Sequence, residues 1–272
     1  MEQKSIKNHW ESWASKYQKD LRATTKTQTI KKLEINALFN AISKTGIKTG
    51  NILEIGCGNG YNCISLAQSF PQLNFTGVDF VEQMVNNANI LAKDLPDEIS
   101  SRLKYFQGNA LDLINNSKLL NYYDVIFTNR CLINLPNDEL QIKAIDQILK
   151  KLINGGNFIM LENMKDLRNI QNKLRSRVKL NERSVPEYNH FMDENAVLAY
   201  LLDNNCELLF TSDFGSLHDL ILYILLPMIN NGEILYDHPI MDAVTEFLLQ
   251  NNDYKIEING VGQNRLFSFK KL

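Results

Sequence analysis

The sequence has few of the features that mark metal-binding, secreted or membrane proteins. Its four cysteines, Cys57, Cys63, Cys131 and Cys206, form no C-x-x-C pair. That argues against a zinc site or a disulfide framework and suits a reducing cytoplasm. Neither sign of charge dominates: 29 Lys and Arg stand against 31 Asp and Glu, a net charge of −2. Nothing global therefore points to nucleic acid as a partner. Long apolar runs are missing too. The longest, Leu220 to Ile229, is too short for a bilayer and contains Pro227, so no membrane insertion is expected. The opening Met-Glu-Gln-Lys-Ser-Ile-Lys lacks the apolar centre of a secretion signal. Repeats and low-complexity tracts are absent. At 272 residues and 44% hydrophobic, the chain fits one large α/β domain, or one domain with a modest cap.

What is present centres on Asn51-Ile-Leu-Glu-Ile-Gly-Cys-Gly-Asn-Gly60. Ile52 to Ile55 is too short for a helix and reads as a buried parallel strand. Gly56, Gly58 and Gly60 follow, then Cys63, Leu66, Ala67 and Phe70 at helical spacing. Strand, glycine turn and helix open a nucleotide-binding α/β sheet, where a side chain would keep the backbone from closing on a ligand. A dinucleotide fingerprint would need glycine at 61, where Tyr61 stands. The pattern Glu54-x-Gly-x-Gly-x-Gly60 instead resembles motif I of class I S-adenosyl-L-methionine (SAM) methyltransferases.

The flanking chain can be read in the same way. Residues 1–50 form a leader. Trp10, Trp13 and Tyr17 share one helix face, and Ile30, Leu33, Ala37, Leu38 and Ala41 mark a second helix closed near Gly46. The tryptophans read as packing residues; alternatively the leader folds over the cofactor, with Tyr17 and the Thr/Lys stretch 22–29 touching its methionine end or the acceptor. A second strand ends at Asp79, placed to accept hydrogen bonds from both ribose hydroxyls of an adenosyl group; the plainer reading is a helix cap. Phe80 would flank the adenine. Asn109, leaving the third strand, is placed to bind the adenine amino group. The fourth strand ends at Asn129 and Arg130, beside the expected methyl group. Arg130 reads as a structural ion pair or as a grip on the SAM carboxylate or an anionic acceptor. Residues 137–152 read as a helix ended by Asn154-Gly-Gly156, and 157–162 as the fifth strand. Glu162 at its end is an acceptor contact, a base or a structural hydrogen-bonder.

Two insertions are expected, at about 163–192 and 214–254. The first holds seven basic residues between 163 and 183, among them Arg168, Arg175 and Arg183, against Asp166 and Glu182. They read as a solvated helix face; any part turned to the cleft would attract a phosphorylated acceptor. In the second, Leu217, Leu220, Ile221, Ile224, Leu225 and Met228 form one apolar stripe, and Ile240, Val244, Phe247 and Leu248 another. Both read as core.

A finer resemblance rests on Arg130-Cys-Leu-Ile-Asn-Leu-Pro136, Asn189-His-Phe-Met-Asp193 and Tyr236-Asp-His-Pro-Ile240. These look like methyltransferases from bacterial surface-polysaccharide (capsule or O-antigen) gene clusters, some of which are thought to methylate sugar hydroxyls and others to help assemble the O-methyl phosphoramidate group of capsules. The resemblance implies a Rossmann-like sheet, mostly parallel with the last strand antiparallel, carrying helical cap insertions. It implies SAM as cofactor, S-adenosyl-L-homocysteine (SAH) as product, and a small acceptor that can be anionic. It adds Glu54, Gly56, Cys57, Gly58, Gly60, Met84 and Ala110 to the cofactor residues, and Tyr17, Asn189 and His190 to the acceptor residues. A neutral hydroxyl needs a base, for which His190 and His218 are the candidates; an anionic oxygen needs positive charge instead. A divalent ion could help hold such an acceptor, but no ligand cluster of characteristic spacing is present. Small-molecule N-methylation, a non-catalytic SAM-binding partner and an NAD-dependent oxidoreductase are the competing readings.

Overall fold

The computed structural model describes residues 3–250, 258 and 260–272, so 251–254 of the expected second insertion lie outside the described residues. The strands β1 (Gly50–Ile55), β2 (Leu73–Asp79), β3 (Leu103–Gln107), β4 (Tyr123–Asn129), β5 (Leu152–Asn163), β6 (Cys206–Ser212) and β7 (Asn264–Lys271) form one sheet. Its order is β3-β2-β1-β4-β5-β7-β6. Neighbours from β3 to β5 are parallel, while β7 runs antiparallel to β5 and β6. This is the Rossmann-like arrangement expected above.

Helices cover both faces: α1 (Gln3–Tyr17), α2 (Gln28–Thr45), α3 (Tyr61–Ser69), α4 (Glu82–Lys93), the short α5 (Asp97–Ser100), α6 (Asp138–Lys151), α7 (Lys165–Arg177) and α8 (Glu194–Asp203). They are followed by α9 (Ser216–Leu220), a π turn (Ile221–Leu225), α10 (Leu226–Ile229) and α11 (Pro239–Gln250). Among these described helices none is long and apolar enough to cross a membrane.

Strand alternation divides the core. In β1, Leu53 and Ile55 join the cluster packed on α6, whereas Ile52 joins the one packed on α2 and α3. On α2, Leu33, Leu38, Ala41 and Ile42 are buried at helical spacing, and Gly46 ends the helix in the left-handed conformation, φ 75°.

Two expectations are corrected here. The helix α6 stops at Lys151, before the glycines, because Leu152 already pairs with Tyr123. The pairing resumes only at Asn157 with Val125, so Asn154-Gly-Gly156 bulges out of β5 with Gly155 at φ 79°. The apolar stripes of the second insertion are not core throughout: Leu225, Met228, Ile240 and Phe247 are exposed. A π turn carries more residues per turn than an α-helix, so the stripe loses phase across 221–225. Leu222, Tyr223, Leu226 and Met241 pack together instead.

The strand order reverses between β1 and β4, and the loops leaving their carboxyl ends part there. That divergence opens a crevice, the usual ligand position in such sheets.

Candidate functional site

The crevice continues into a cavity walled by the glycine turn, the end of β2, the β4 exit, the leader and both insertions. Gly56, Gly58 and Gly60 take φ of 74°, 52° and 81°, which side chains disfavour. A Cβ on Gly56 would collide with Cys131, and one on Gly58 with Thr24. Gly56 and Cys57 both donate their N–H to Val78 O, at 2.8 and 2.9 Å. Gly58 N–H donates to Asp79 Oδ2 at 2.8 Å, and Val81 N–H to Oδ1 at 2.9 Å. Each carboxylate oxygen thus takes one amide and keeps a lone pair for a further donor. Burial raises the Asp79 pKa, and the amides of Val81, Gly58 and Phe80 oppose the shift.

Of the residues singled out above, Gly56, Cys57, Gly58, Asp79, Phe80, Met84, Asn109, Ala110, Asn129, Arg130 and Asn189 line this cavity. Six others do not, and each has another role. Glu54 is buried beneath the turn, accepting from Asn62 Nδ2 at 2.6 Å and Cys63 Sγ at 3.0 Å; it fixes the start of α3. Gly60 lets that helix start pack on Tyr105 and Ala88. Tyr17 packs with Ala14, Ala23, Val81 and Met84. Glu162 caps the turn after β4, accepting the N–H groups of Cys131, Leu132 and Ile133 at 3.0, 3.1 and 3.3 Å. Burial pushes both Glu54 and Glu162 up to about 7.

The two histidines are also displaced from the wall. His190 turns outward, its Nε2 2.8 Å from Asp138 Oδ1. His218 is buried with Nδ1 3.1 Å from Asp219 Oδ1 and Nε2 3.1 Å from Thr29 Oγ1. Thr29 Oγ1 lies 2.7 Å from Thr27 Oγ1, and Thr27 does line the cavity. His218 therefore reaches the wall only through two hydroxyls.

Arg130 is held by a residue that sequence reasoning missed. Its Nε stands 2.7 Å from Glu34 Oε1, a charge contact without hydrogen-bond alignment. Its Nη2 donates to Glu34 Oε2 at 3.2 Å and to Thr24 O at 3.3 Å. Glu34 is fully buried and also meets Lys31 Nζ at 2.8 Å and Asn129 Nδ2 at 3.2 Å. Burial would raise its pKa; the Arg130 and Lys31 charges override that and hold it down at about 2. Glu34 follows Ile30 at i+4 and precedes Leu38 and Ala41, so it stands on the apolar stripe of α2. A carboxylate there was the available signal.

The leader closes over the cavity. Both Trp10 and Trp13 line it. Asn134 Oδ1 accepts from Trp10 Nε1 at 3.2 Å and from Asn189 Nδ2 at 3.0 Å, joining leader, β4 exit and first insertion. His9 stacks on Tyr188 with ring centroids 3.9 Å apart. The basic run divides as well: Lys173, Arg177 and Lys179 face solvent, whereas Arg168 and Arg175 are buried. Arg168 and Arg183 line the cavity.

These groups suit an adenosyl sulfonium. Asp79 offers two acceptor positions to a diol. Asn129 Oδ1, buried and without a hydrogen-bond partner among the described residues, suits an ammonium group. Among the described residues no group of three or more His, Cys, Asp or Glu could hold a metal ion.

Comparison with known proteins agrees with the geometry. The sequence profile of a family described as "Methyltransferase domain" matches residues 48–208. An uncharacterized Rickettsia prowazekii protein is 24% identical over 175 residues, covering 64% of this chain and 66% of that one. The malonyl-[acyl-carrier protein] O-methyltransferase of Bacillus cytotoxicus is 35% identical over 78 residues, 29% of this chain and 24% of its own. The chain thus spans less than two thirds of the length of these curated relatives. Among solved structures, magnesium protoporphyrin IX methyltransferase of Synechocystis with bound SAH superposes with a TM-score of 0.60. The two are 16% identical, and the match covers 78% of this chain and 92% of that chain.

Proposed function

The chain belongs to the methyltransferase-domain family, and on that premise we propose that it transfers the SAM methyl group to an oxygen of a small polar or phosphorylated acceptor. One observation carries the reading: the glycine turn, Asp79 and Asn129 share a single cavity with the aromatic leader and two inward-facing arginines. The cofactor supplies an electrophilic methyl group, so the hard part of the chemistry belongs to it. The chain's residues bind, orient and exclude water. Asp79 would hold the ribose hydroxyls, and Asn129 Oδ1 the ammonium. Trp10, Trp13 and Tyr188 would shield the reacting atoms from solvent. Arg130, committed to Glu34, sets the shape of the β4 exit, with one edge on the cavity.

A hydroxyl acceptor must lose its proton. The route we assign runs from Thr27 through Thr29 to His218, with Asp219 holding the imidazole. The acceptor class we assign is a precursor of bacterial capsule or surface polysaccharide, carrying a sugar hydroxyl, a phosphate or a phosphoramidate. Three motif segments support this, at 130–136, 189–193 and 236–240, and each reaches the cavity, with Asn134, Asn189 and Tyr236. The O-methyltransferase activity named for the Bacillus relative favours oxygen over nitrogen as the methylated atom. The test is methyl-labelled SAM offered with a panel of sugar phosphates and amino-sugar phosphates. A labelled methyl ether or ester is expected, and transfer to amines alone would overturn the oxygen assignment.

A further inference from the structure

Arg168, on α7, is 4% exposed. Among the described residues its Nε and Nη1 find no hydrogen-bond partner. Its guanidinium lies 5.1 Å from the centroid of the Phe191 ring. Arg183 sits over the Tyr223 ring, its Cζ 3.3 Å from the centroid. Its Nη1 is taken by two neutral amides, Gln171 Oε1 at 2.5 Å and Gln263 Oε1 at 3.5 Å. Both arginines line the cavity, and so does the Tyr223 ring, carried on the π turn.

A buried cation without a paired counter-charge is destabilising in the way a broken buried ion pair is. Here two guanidinium groups sit close enough to disfavour each other. Burial, followed by the Arg183 charge, holds Arg168 down at about 10. Asp219 acts the other way, but its ion-pair contact among the described residues is with His218 Nδ1 at 3.1 Å rather than with either guanidinium. Ring faces and amides orient the two cations without neutralising them. Two planar cationic donors on one cavity wall match a dianion with several oxygens better than a single carboxylate.

We infer that Arg168 and Arg183 form an anion subsite on the wall supplied by the first insertion, and that it anchors a phosphate group of the acceptor. The assignment builds on the reading of the cavity as a methyl-transfer site. It narrows the acceptor to a phosphate-bearing molecule whose nucleophilic oxygen is presented toward Asn129.

The test uses the full chain as wild type, Arg168→Met and Arg183→Met. Inorganic phosphate, acetate and SAH are titrated calorimetrically at constant ionic strength, and melting temperatures are taken in chloride. Phosphate should bind the wild type at least tenfold more tightly than acetate, and each substitution should weaken it at least tenfold. SAH affinity should stay within twofold. Arg168→Met should melt no lower than wild type in chloride, because it removes an uncompensated buried charge; a purely structural arginine would melt lower. If Arg168→Met does not fold, Arg183→Met decides alone. The inference is overturned if wild type does not bind phosphate, if acetate binds equally well, or if both variants bind phosphate like wild type. It is also overturned if SAH weakens in step with phosphate, which would make the pair a grip on the cofactor carboxylate. Loss of SAH binding by the wild type itself would defeat the methyl-transfer reading and leave the phosphate result to judge the subsite.

Discussion

Arg130 Nη2 and Glu34 Oε2 meet at 3.2 Å, joining the exit of β4 to the leader helix α2 across the floor of the cavity. Lys31 extends the contact, its Nζ 3.3 Å from Asn62 Oδ1, and Asn62 in turn holds Glu54. One buried polar chain therefore ties the leader, the glycine turn and the β4 loop together. Arg130→Ala would leave Glu34 with Lys31 as its remaining cation. We expect a loss of about 2–4 kcal/mol by urea denaturation, together with loss of turnover. Arg130→Lys should not restore turnover, because an ammonium cannot make both the Glu34 and Thr24 contacts in the same plane. Near-normal kinetics in Arg130→Ala would contradict this role.

The two raised carboxyls give the protein a defined pH response. Glu54 and Glu162 keep their protons up to about pH 7 when folded, against an ordinary carboxyl value near 4.5. The folded state therefore binds more protons than the unfolded state between these values. The stability they contribute is complete below about pH 4.5 and is lost as pH rises through about 7. The loss should be on the order of 3 kcal/mol per carboxyl. Glu162→Gln keeps an acceptor for the Cys131 and Leu132 amides and removes one titration. Urea midpoints between pH 5 and pH 8 should fall less steeply in this variant, and an unchanged slope would refute the assignment.

The histidines should separate cleanly. His190 is on the outer surface against Asp138, so His190→Ala should leave turnover within about twofold. His218→Ala removes the end of the hydroxyl route and should slow turnover by about 100-fold or more. Equal kinetics for both variants would eliminate the Thr27–Thr29–His218 route.

The sheet and its glycine turn were legible because their signals are local. A short apolar strand, three glycines and Asp79 follow one another within about thirty residues, and each constrains its neighbours. The limits of α6 and the burial of the second insertion were not legible. A bulge at 154–156 and a π turn at 221–225 change backbone phase, and periodicity cannot register either. At the cavity, the residues singled out stand on the wall where the strand ends dictate position, as at Asp79 and Asn129. Glu54 and Glu162 lie off that wall, because side chains alternate along a strand and these two point into packed layers. His190 and His218 lie off it for another reason: the inserted segments approach the cavity with only some of their residues. Lys31 and Glu34 went unseen because a charged pair at i, i+3 on a helix ordinarily faces water, and only tertiary packing buries this one.

The most direct measurement is calorimetric titration of SAH into the full chain and into Asp79→Ala. The wild type should bind one equivalent. Asp79→Ala should bind about 100-fold more weakly while keeping the wild-type fold, because two hydrogen bonds to a charged acceptor are lost. Absence of binding by the wild type, or equal affinity in the two proteins, would contradict the placement of the adenosyl group between Gly58 and Asp79.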